Sequence, residues 1–92
     1  MALETSIETY LNAEVRSMGG WSIKFAPTAV GLPDRLVLLP GGKAHLVELK
    51  APRGRLARAQ RVVHRRLGDM GHPVVVLASV EQVDEWVRRV RD

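Results

Sequence analysis

A Pro40-Gly41-Gly42 turn lies between two short segments, residues 35–39 and 43–50, whose composition suits adjacent β-strands. The length of the turn fixes the register of the strands, and a slip of one residue moves every side chain to the opposite face. A three-residue loop places Asp34 opposite Glu48, whereas a two-residue loop would place Asp34 opposite Leu49. Proline suits the second position of a type I turn, and glycine supplies the left-handed residue that follows. The sequence therefore favours the three-residue loop.

The favoured register brings Asp34, Glu48 and Lys50 to one face of the hairpin, because opposed residues and alternate residues share a face. Carboxylate oxygens are ligands that Mg²⁺ and Mn²⁺ prefer, and a nearby lysine can orient water or offset charge on a phosphoryl group. The simpler alternative is an exposed Glu48–Lys50 ion pair beside a turn aspartate. Two neighbouring carboxylates repel each other unless a cation lies between them, so the pattern predicts a metal site.

Basic residues outnumber acidic ones, 14 against 10, in a chain of 92 residues with a formal net charge of +4. The excess is concentrated in residues 50–66, which contain no acid, and it predicts a polyanionic partner. A solvated helix face is the alternative explanation. Aromatic residues for base stacking are scarce, which favours contacts to a nucleic-acid backbone. The candidate phosphate contacts are Lys24, Arg35, Arg53, Arg55, Arg58 and Arg61.

Apolar periodicity and turn residues predict seven elements in a single domain that spans residues 1–92. The order αβββαβα predicts an α/β fold with a mixed sheet flanked by helices. Residues 74–78 form an unbroken apolar run, typical of a strand that is buried on both faces. The predicted helices are 3–18, 56–70 and a last helix capped by Ser79, and the predicted strands are 21–26, 35–39, 43–50 and 74–78.

The composition also excludes several classes of protein. The chain has no cysteine, which excludes disulfides, zinc–thiolate sites and thiol nucleophiles. The start of the chain lacks the pattern of a signal peptide, and no apolar run is long enough to span a membrane. We therefore expect a cytoplasmic protein, and the small size makes a homodimer a natural way to bury more surface.

Residues 31–42 (GLPDRLVLLPGG), residues 47–52 (VELKAP) and Gln60 together closely resemble the VRR-NUC domain. This domain is a branch of the PD-(D/E)xK nuclease superfamily. The resemblance runs from the first helix to the end of the chain. It implies a restriction-endonuclease-like fold of order αβββαβα and a divalent-metal-dependent nuclease.

The resemblance also implies roles for individual residues. Asp34 and Glu48 correspond to the metal-binding carboxylates of the family, with the Leu49 carbonyl as a further ligand of Mg²⁺ or Mn²⁺. Lys50 corresponds to the catalytic lysine. Gln60 matches the glutamine that follows the lysine strand in the family.

Two glutamates of the first helix compete for one further position of the metal site. Glu8 keeps the spacing to Gly19 seen in related resolvases, whereas Glu4 fits the N-terminal consensus of the VRR-NUC domain. Both residues therefore stay candidates, with Glu8 ranked first. The Arg53-Gly54-Arg55 loop departs from the family pattern because it is more basic than usual.

The resemblance implies hydrolysis of phosphodiester bonds that leaves 5′-phosphate and 3′-hydroxyl ends. Small standalone members are similar to Holliday-junction resolvases, so a homodimer acting on four-way DNA junctions is the leading expectation. Two alternatives stay open. The first is a catalytically idle DNA-binding module on a nuclease fold, and the second is a nickase or exonuclease that acts on simple duplex DNA.

Overall fold

The computed structural model describes residues 4–26 and 29–91. Its element order confirms the predicted αβββαβα arrangement, with bounds that differ from the predicted ones by a few residues. The predicted start of the first helix at Leu3 lies outside the described residues. The elements are α1 (Glu4–Ser17), β1 (Trp21–Lys24), β2 (Arg35–Leu39), β3 (Lys43–Leu49), α2 (Arg58–Asp69), β4 (Val74–Leu77) and α3 (Val80–Val90).

The four strands form one mixed sheet in the order β1-β2-β3-β4. The first three strands are antiparallel neighbours, and β4 runs parallel to β3. Leu39 pairs with Lys43, which confirms the three-residue loop. Both Gly41 and Gly42 have positive φ, at 88° and 77°, so the turn uses two left-handed residues where the sequence predicted one.

The main core lies between one face of the sheet and the helices α1 and α3. Alternate residues of β2 point into this core, which explains why Val37 and Leu39 are buried. The Tyr10 hydroxyl donates a hydrogen bond to an Asp84 carboxylate oxygen and ties α1 to α3. The helix residues buried in this core are Ile7, Leu11 and Val15 of α1 and Val83, Trp86 and Val87 of α3.

The opposite face of the sheet is only partly covered by α2, all of whose residues the structure describes and none of which is fully buried. Val62 of α2 is 60% exposed, Met70 just after α2 is 58% exposed, and Val76 of β4 is 38% exposed. The prediction that residues 74–78 are buried on both faces is therefore wrong. The reason is that β4 is an edge strand, a position that the apolar run does not reveal.

No helix within residues 4–26 and 29–91 is long and apolar enough to cross a membrane.

Candidate active site

Two hydrogen bonds tie Asp34, which precedes β2, to Glu48 and Leu49 at the end of β3. The backbone N–H of Asp34 donates to Oε1 of Glu48 at 3.1 Å. The backbone N–H of Leu49 donates to Oδ2 of Asp34 at 2.7 Å. Each carboxylate is thus held by a backbone N–H from the other strand, and the two side chains converge as the register predicted.

Glu48 is a buried carboxylate, only 4% exposed, with polar partners on both oxygens. Gln60 Nε2 donates to Oε2 at 2.9 Å, and Lys50 Nζ lies 3.7 Å from the same oxygen. Burial and then the negative charge of Asp34 raise the pKa of Glu48, while Lys50, Gln60 and the Asp34 N–H oppose the rise. A cation bound beside both carboxylates would relieve this penalty.

Lys50 follows the last residue of β3 and lies on the side of Glu48, as strand alternation predicts. Its backbone N–H donates to the Leu77 carbonyl at 3.0 Å, which anchors the residue to β4. Its side chain is 21% exposed. The amine therefore lies at the border between the buried carboxylate and solvent, where an incoming phosphate could meet it.

Gln60 connects the beginning of α2 to Glu48. Its Oε1 accepts a hydrogen bond from the backbone N–H of Ala57 at 2.9 Å, and its Nε2 donates to Glu48. The glutamine therefore caps the helix start with one end of its amide and orients a carboxylate with the other. Residue periodicity alone would not select it, because helix glutamines are usually surface residues, and only the family resemblance pointed to this position.

The loop before Asp34 is packed tightly against α2. Gly31 has φ of 90°, and a Cβ there would lie 2.5 Å from the Ala59 carbonyl oxygen and 2.8 Å from Cγ2 of Val63. Only glycine fits such a close approach in this conformation. Pro33 is buried next to it. This packing places Asp34 at a defined position ahead of β2.

The two carboxylates line a cavity of about 290 Å³ that reaches α1. Both candidate glutamates of α1 line it, so the structure keeps Glu4 and Glu8 as neighbours of the site. Oε2 of Glu8 is hydrogen-bonded to Nη2 of Arg35 and lies 3.9 Å from Nζ of Lys24. The full lining is Glu4, Thr5, Glu8, Lys24, Asp34, Arg35, Glu48 and Leu49.

Arg35 is not placed as the sequence analysis expected. It is 2% exposed, and its guanidinium donates to Asp34, Glu8, Asn12 and Ser22. A side chain buried in this way cannot reach a DNA phosphate, so the predicted DNA contact is wrong. Asn12 and Ser22, which accept hydrogen bonds from Arg35, were not among the predicted site residues. Asn12 lies one helical turn after Glu8, and that spacing could have indicated it.

The remaining predicted DNA contacts are exposed. Lys24 is 70% exposed at the rim of the cavity, and the four arginines lie on the loop after β3 and on the first turn of α2. Arg61 also donates from Nη1 to the Leu56 carbonyl at 2.9 Å. These arginines are Arg53, Arg55, Arg58 and Arg61.

Arg53 adopts a backbone conformation that is unusual for a residue with a side chain. Its φ is 67°, and it occupies the third position of a turn closed by a 2.8 Å hydrogen bond from the Gly54 N–H to the Ala51 carbonyl. Pro52 suits the second position of such a turn, whereas glycine or asparagine normally takes the third. The turn therefore carries an arginine three residues after Lys50 in spite of a conformational penalty.

The donor set fits a magnesium or manganese ion. Within residues 4–26 and 29–91 no three His, Cys, Asp or Glu side chains converge as a complete metal site. Mg²⁺ nevertheless commonly binds through one or two carboxylates and fills its other positions with water and substrate phosphate. The pair Asp34 and Glu48, beside a cavity with room for such ligands, meets this requirement.

No family model matches the sequence. A curated phage protein named "Putative nuclease p44", from Acyrthosiphon pisum secondary endosymbiont phage 1, is 49% identical over 77 residues, which is 83% of each chain. A solved structure described as "VRR_NUC domain" superimposes with a TM-score of 0.86 and 28% identity. It covers 97% of this chain and 99% of its own.

Both similarities point to the family that residues 31–42 and 47–52 resemble, and they are consistent with the observed element order. The solved structure covers nearly the whole of the fold, and the phage protein matches 83% of the chain. The chain therefore belongs to the VRR-NUC family of nucleases, in the PD-(D/E)xK superfamily.

Proposed function

We propose that this nuclease is a divalent-metal-dependent, structure-selective DNA endonuclease whose centre consists of Asp34, Glu48 and Lys50. The observation that carries the proposal is the pair of hydrogen bonds that ties Asp34 to Glu48 and Leu49, with Lys50 beside Glu48. Glu48 is buried and Asp34 is partly buried, and two such neighbouring carboxylates repel each other, so the arrangement favours a divalent cation bound between them. Family membership supports the same conclusion.

Asp34 and Glu48 would hold Mg²⁺ or Mn²⁺, with the Leu49 carbonyl and an α1 carboxylate, Glu8 or Glu4, as further ligands. The bound ion would supply Lewis acidity toward a phosphoryl oxygen and lower the pKa of a coordinated water. Lys50 would orient the attacking water or offset the negative charge that develops on the phosphate. The products would carry 5′-phosphate and 3′-hydroxyl ends.

Gln60 has a supporting role in this proposal. It fixes the orientation of the Glu48 carboxylate through the bond from its Nε2. Because its Oε1 also caps α2 at Ala57, the glutamine links the position of the arginine-bearing helix to the position of a metal ligand. DNA bound along α2 would thus be held in a fixed relation to the metal site.

The exposed arginines of the loop and α2, together with Lys24, would contact the DNA backbone. Replacing both Arg58 and Arg61 with alanine should weaken DNA binding, since each contact releases counterions from the DNA. The slope of log affinity against log salt concentration should fall by roughly 0.9 for each lost phosphate contact. Fluorescence anisotropy over a salt series measures this slope. An unchanged slope would rule out α2 as the DNA-binding face.

Replacing Arg53 with glycine should raise the stability of the protein and lower its affinity for DNA. Arg53→Gly should stabilise the protein by about 1 kcal/mol, because glycine accepts the left-handed conformation without strain. The same substitution should weaken DNA binding, because an exposed cation of the basic loop after β3 is lost. Thermal unfolding and anisotropy measure the two effects. Arg55→Gly is the matched control, since it removes the same charge at a residue that does not have positive φ. An Arg53→Gly variant that binds DNA as tightly as the wild type would contradict this role.

Resolution of four-way junctions by a homodimer is the most specific form of the proposal. A two-fold junction presents paired cleavage positions to the two active sites of a symmetric dimer. The exposed apolar residues Val62, Met70 and Val76, near the open edge strand β4, offer surface that a second copy could bury. With DNA as its substrate, we expect the protein to act in the cytoplasm of a bacterial or phage-infected cell.

The test is an incubation of purified protein with four-way junction, flap, single-stranded and linear duplex DNA, each with Mg²⁺, Mn²⁺ or EDTA. We expect paired symmetric nicks in the junction that require the metal. Equal cutting of linear duplex would favour a nickase or exonuclease. DNA binding without any product under all conditions would favour a catalytically idle module and overturn the proposal.

A further inference from the structure

Arg35 is a buried arginine that contacts two carboxylates of the active-site cavity. Its Nε donates to Oδ1 of Asp34 at 3.1 Å, and its Nη2 is hydrogen-bonded to Oε2 of Glu8. The side chain of Arg35 is 2% exposed, against 27% for Asp34 and 30% for Glu8. One guanidinium thus bridges the carboxylate of Asp34, just before β2, and the carboxylate of Glu8 in α1.

The third nitrogen of the guanidinium fixes its orientation. Nη1 donates to Oδ1 of Asn12 and to Oγ of Ser22, both at 3.1 Å. Arg35 is therefore bonded to α1, to β1 and to its own neighbour Asp34, and every guanidinium nitrogen has an acceptor. Because arginine stays protonated inside proteins, this group is a permanent positive charge at a fixed place.

The carboxylates of the cavity need such a charge when no divalent ion is bound. Asp34, Glu8 and Glu48 line one cavity, and like charges that are partly removed from water destabilise the fold. Lys24 lies 3.9 Å from Glu8, but its side chain is 70% exposed, so solvent screens its effect. Arg35 is the better-placed cation because it is desolvated and touches both Asp34 and Glu8.

We propose that Arg35 is a positioning residue that serves as a built-in counter-cation. It holds Asp34 and Glu8 together in the metal-free protein, and its charge weakens the attraction of the site for a divalent ion. The second part rests on the metal dependence proposed above. Because Arg35 and the ion neutralise the same carboxylates, removing Arg35 should make the stability of the fold depend on the ion.

The test compares thermal unfolding of wild type, Arg35→Met and the control Arg89→Met, each in EDTA and in Mn²⁺. Arg89 is an exposed arginine in the last turn of α3, so its replacement should leave both melting temperatures near the wild-type values. Arg35→Met should lower the melting temperature in EDTA by about 10 °C or more. Mn²⁺ should then raise the melting temperature of this variant more than that of the wild type. An equal loss in EDTA and in Mn²⁺ would indicate a packing role and overturn the proposal.

A second variant separates charge from packing. Arg35→Met with Glu8→Gln should be more stable in EDTA than Arg35→Met alone, because the unpaired carboxylate is removed together with its partner. A double variant that is no more stable than Arg35→Met alone would contradict the proposal that Arg35 bridges Asp34 and Glu8. If Arg35→Met folds only when Mn²⁺ is added, that result supports the proposal directly.

Calorimetric titration of Mn²⁺ completes the test, with tighter binding expected for Arg35→Met than for the wild type. If neither protein binds Mn²⁺, the proposed metal-dependent function fails and the second part of this inference fails with it. The comparison of the single and double variants in EDTA would still decide whether Arg35 neutralises Asp34 and Glu8.

Discussion

Asp34→Asn should abolish DNA cleavage while leaving DNA binding largely intact. The substitution removes one of the two negative charges that would hold the divalent ion, and loss of that ion should lower the rate by about 10³-fold or more. The fold should survive, since an asparagine oxygen can still accept the hydrogen bond from the Leu49 N–H and the buried Arg35 keeps Glu8, Asn12 and Ser22 as acceptors. Single-turnover cleavage of a labelled junction measures the rate, and anisotropy measures the affinity.

Asp69→Asn is the control for this prediction. Asp69 is an exposed aspartate at the end of α2, so its loss changes the net charge by the same amount away from the site. It should cut DNA at the wild-type rate. An Asp34→Asn protein that retains turnover within tenfold of the wild type would remove Asp34 from the catalytic centre.

Lys50→Ala should lower cleavage by about 10²- to 10⁴-fold, the range expected when a positioned group that stabilises charge or transfers a proton is lost. The amine lies 3.7 Å from Glu48, beside the place where a phosphate would meet the carboxylates. DNA affinity should change little, because several exposed arginines remain. Lys43→Ala, at the other end of β3, is the control that should keep full activity.

Lys50→Ala also has a consequence for the protonation of Glu48. The positive charge of Lys50 lowers the pKa of Glu48 against the opposing effects of burial and of Asp34. Without the lysine, the pKa of Glu48 should rise further above its ordinary value. A carbon-detected NMR titration of the metal-free protein measures this midpoint, and an unchanged midpoint would show that Lys50 does not act on Glu48.

The hairpin could be predicted from sequence because its geometry is local. The turn residues fix the strand register, and the register alone decides that Asp34 meets Glu48. The same reasoning placed Lys50 correctly by alternation along β3. The element order followed from periodicity and from glycine and proline, which act over a few residues.

Residue patterns alone could not predict the contacts between elements that are distant in sequence. The apolar run of β4 has the pattern of a fully buried strand, yet the strand lies at the edge of the sheet and α2 covers it only in part. The role of Gln60 depends on how close α2 comes to β3, which no local pattern encodes. Both features required the three-dimensional arrangement.

Arg35 shows a different kind of error. It alternates with Val37 and Leu39, so its position in β2 already indicated the buried face. The charge of the residue suggested a surface role, and the prediction followed the charge instead of the pattern. An arginine on a core-facing position is better interpreted as one with buried acidic partners, which here are Asp34 and Glu8.

The most direct measurement is the anomalous scattering of Mn²⁺ in crystals of this protein, collected at the manganese absorption edge. We expect a peak at about 2.1–2.3 Å from carboxylate oxygens of both Asp34 and Glu48, the usual range for oxygen ligands of a divalent ion. A Mn²⁺ ion bound elsewhere, with these two carboxylates unligated, would contradict the assignment of this hairpin as the metal-binding centre.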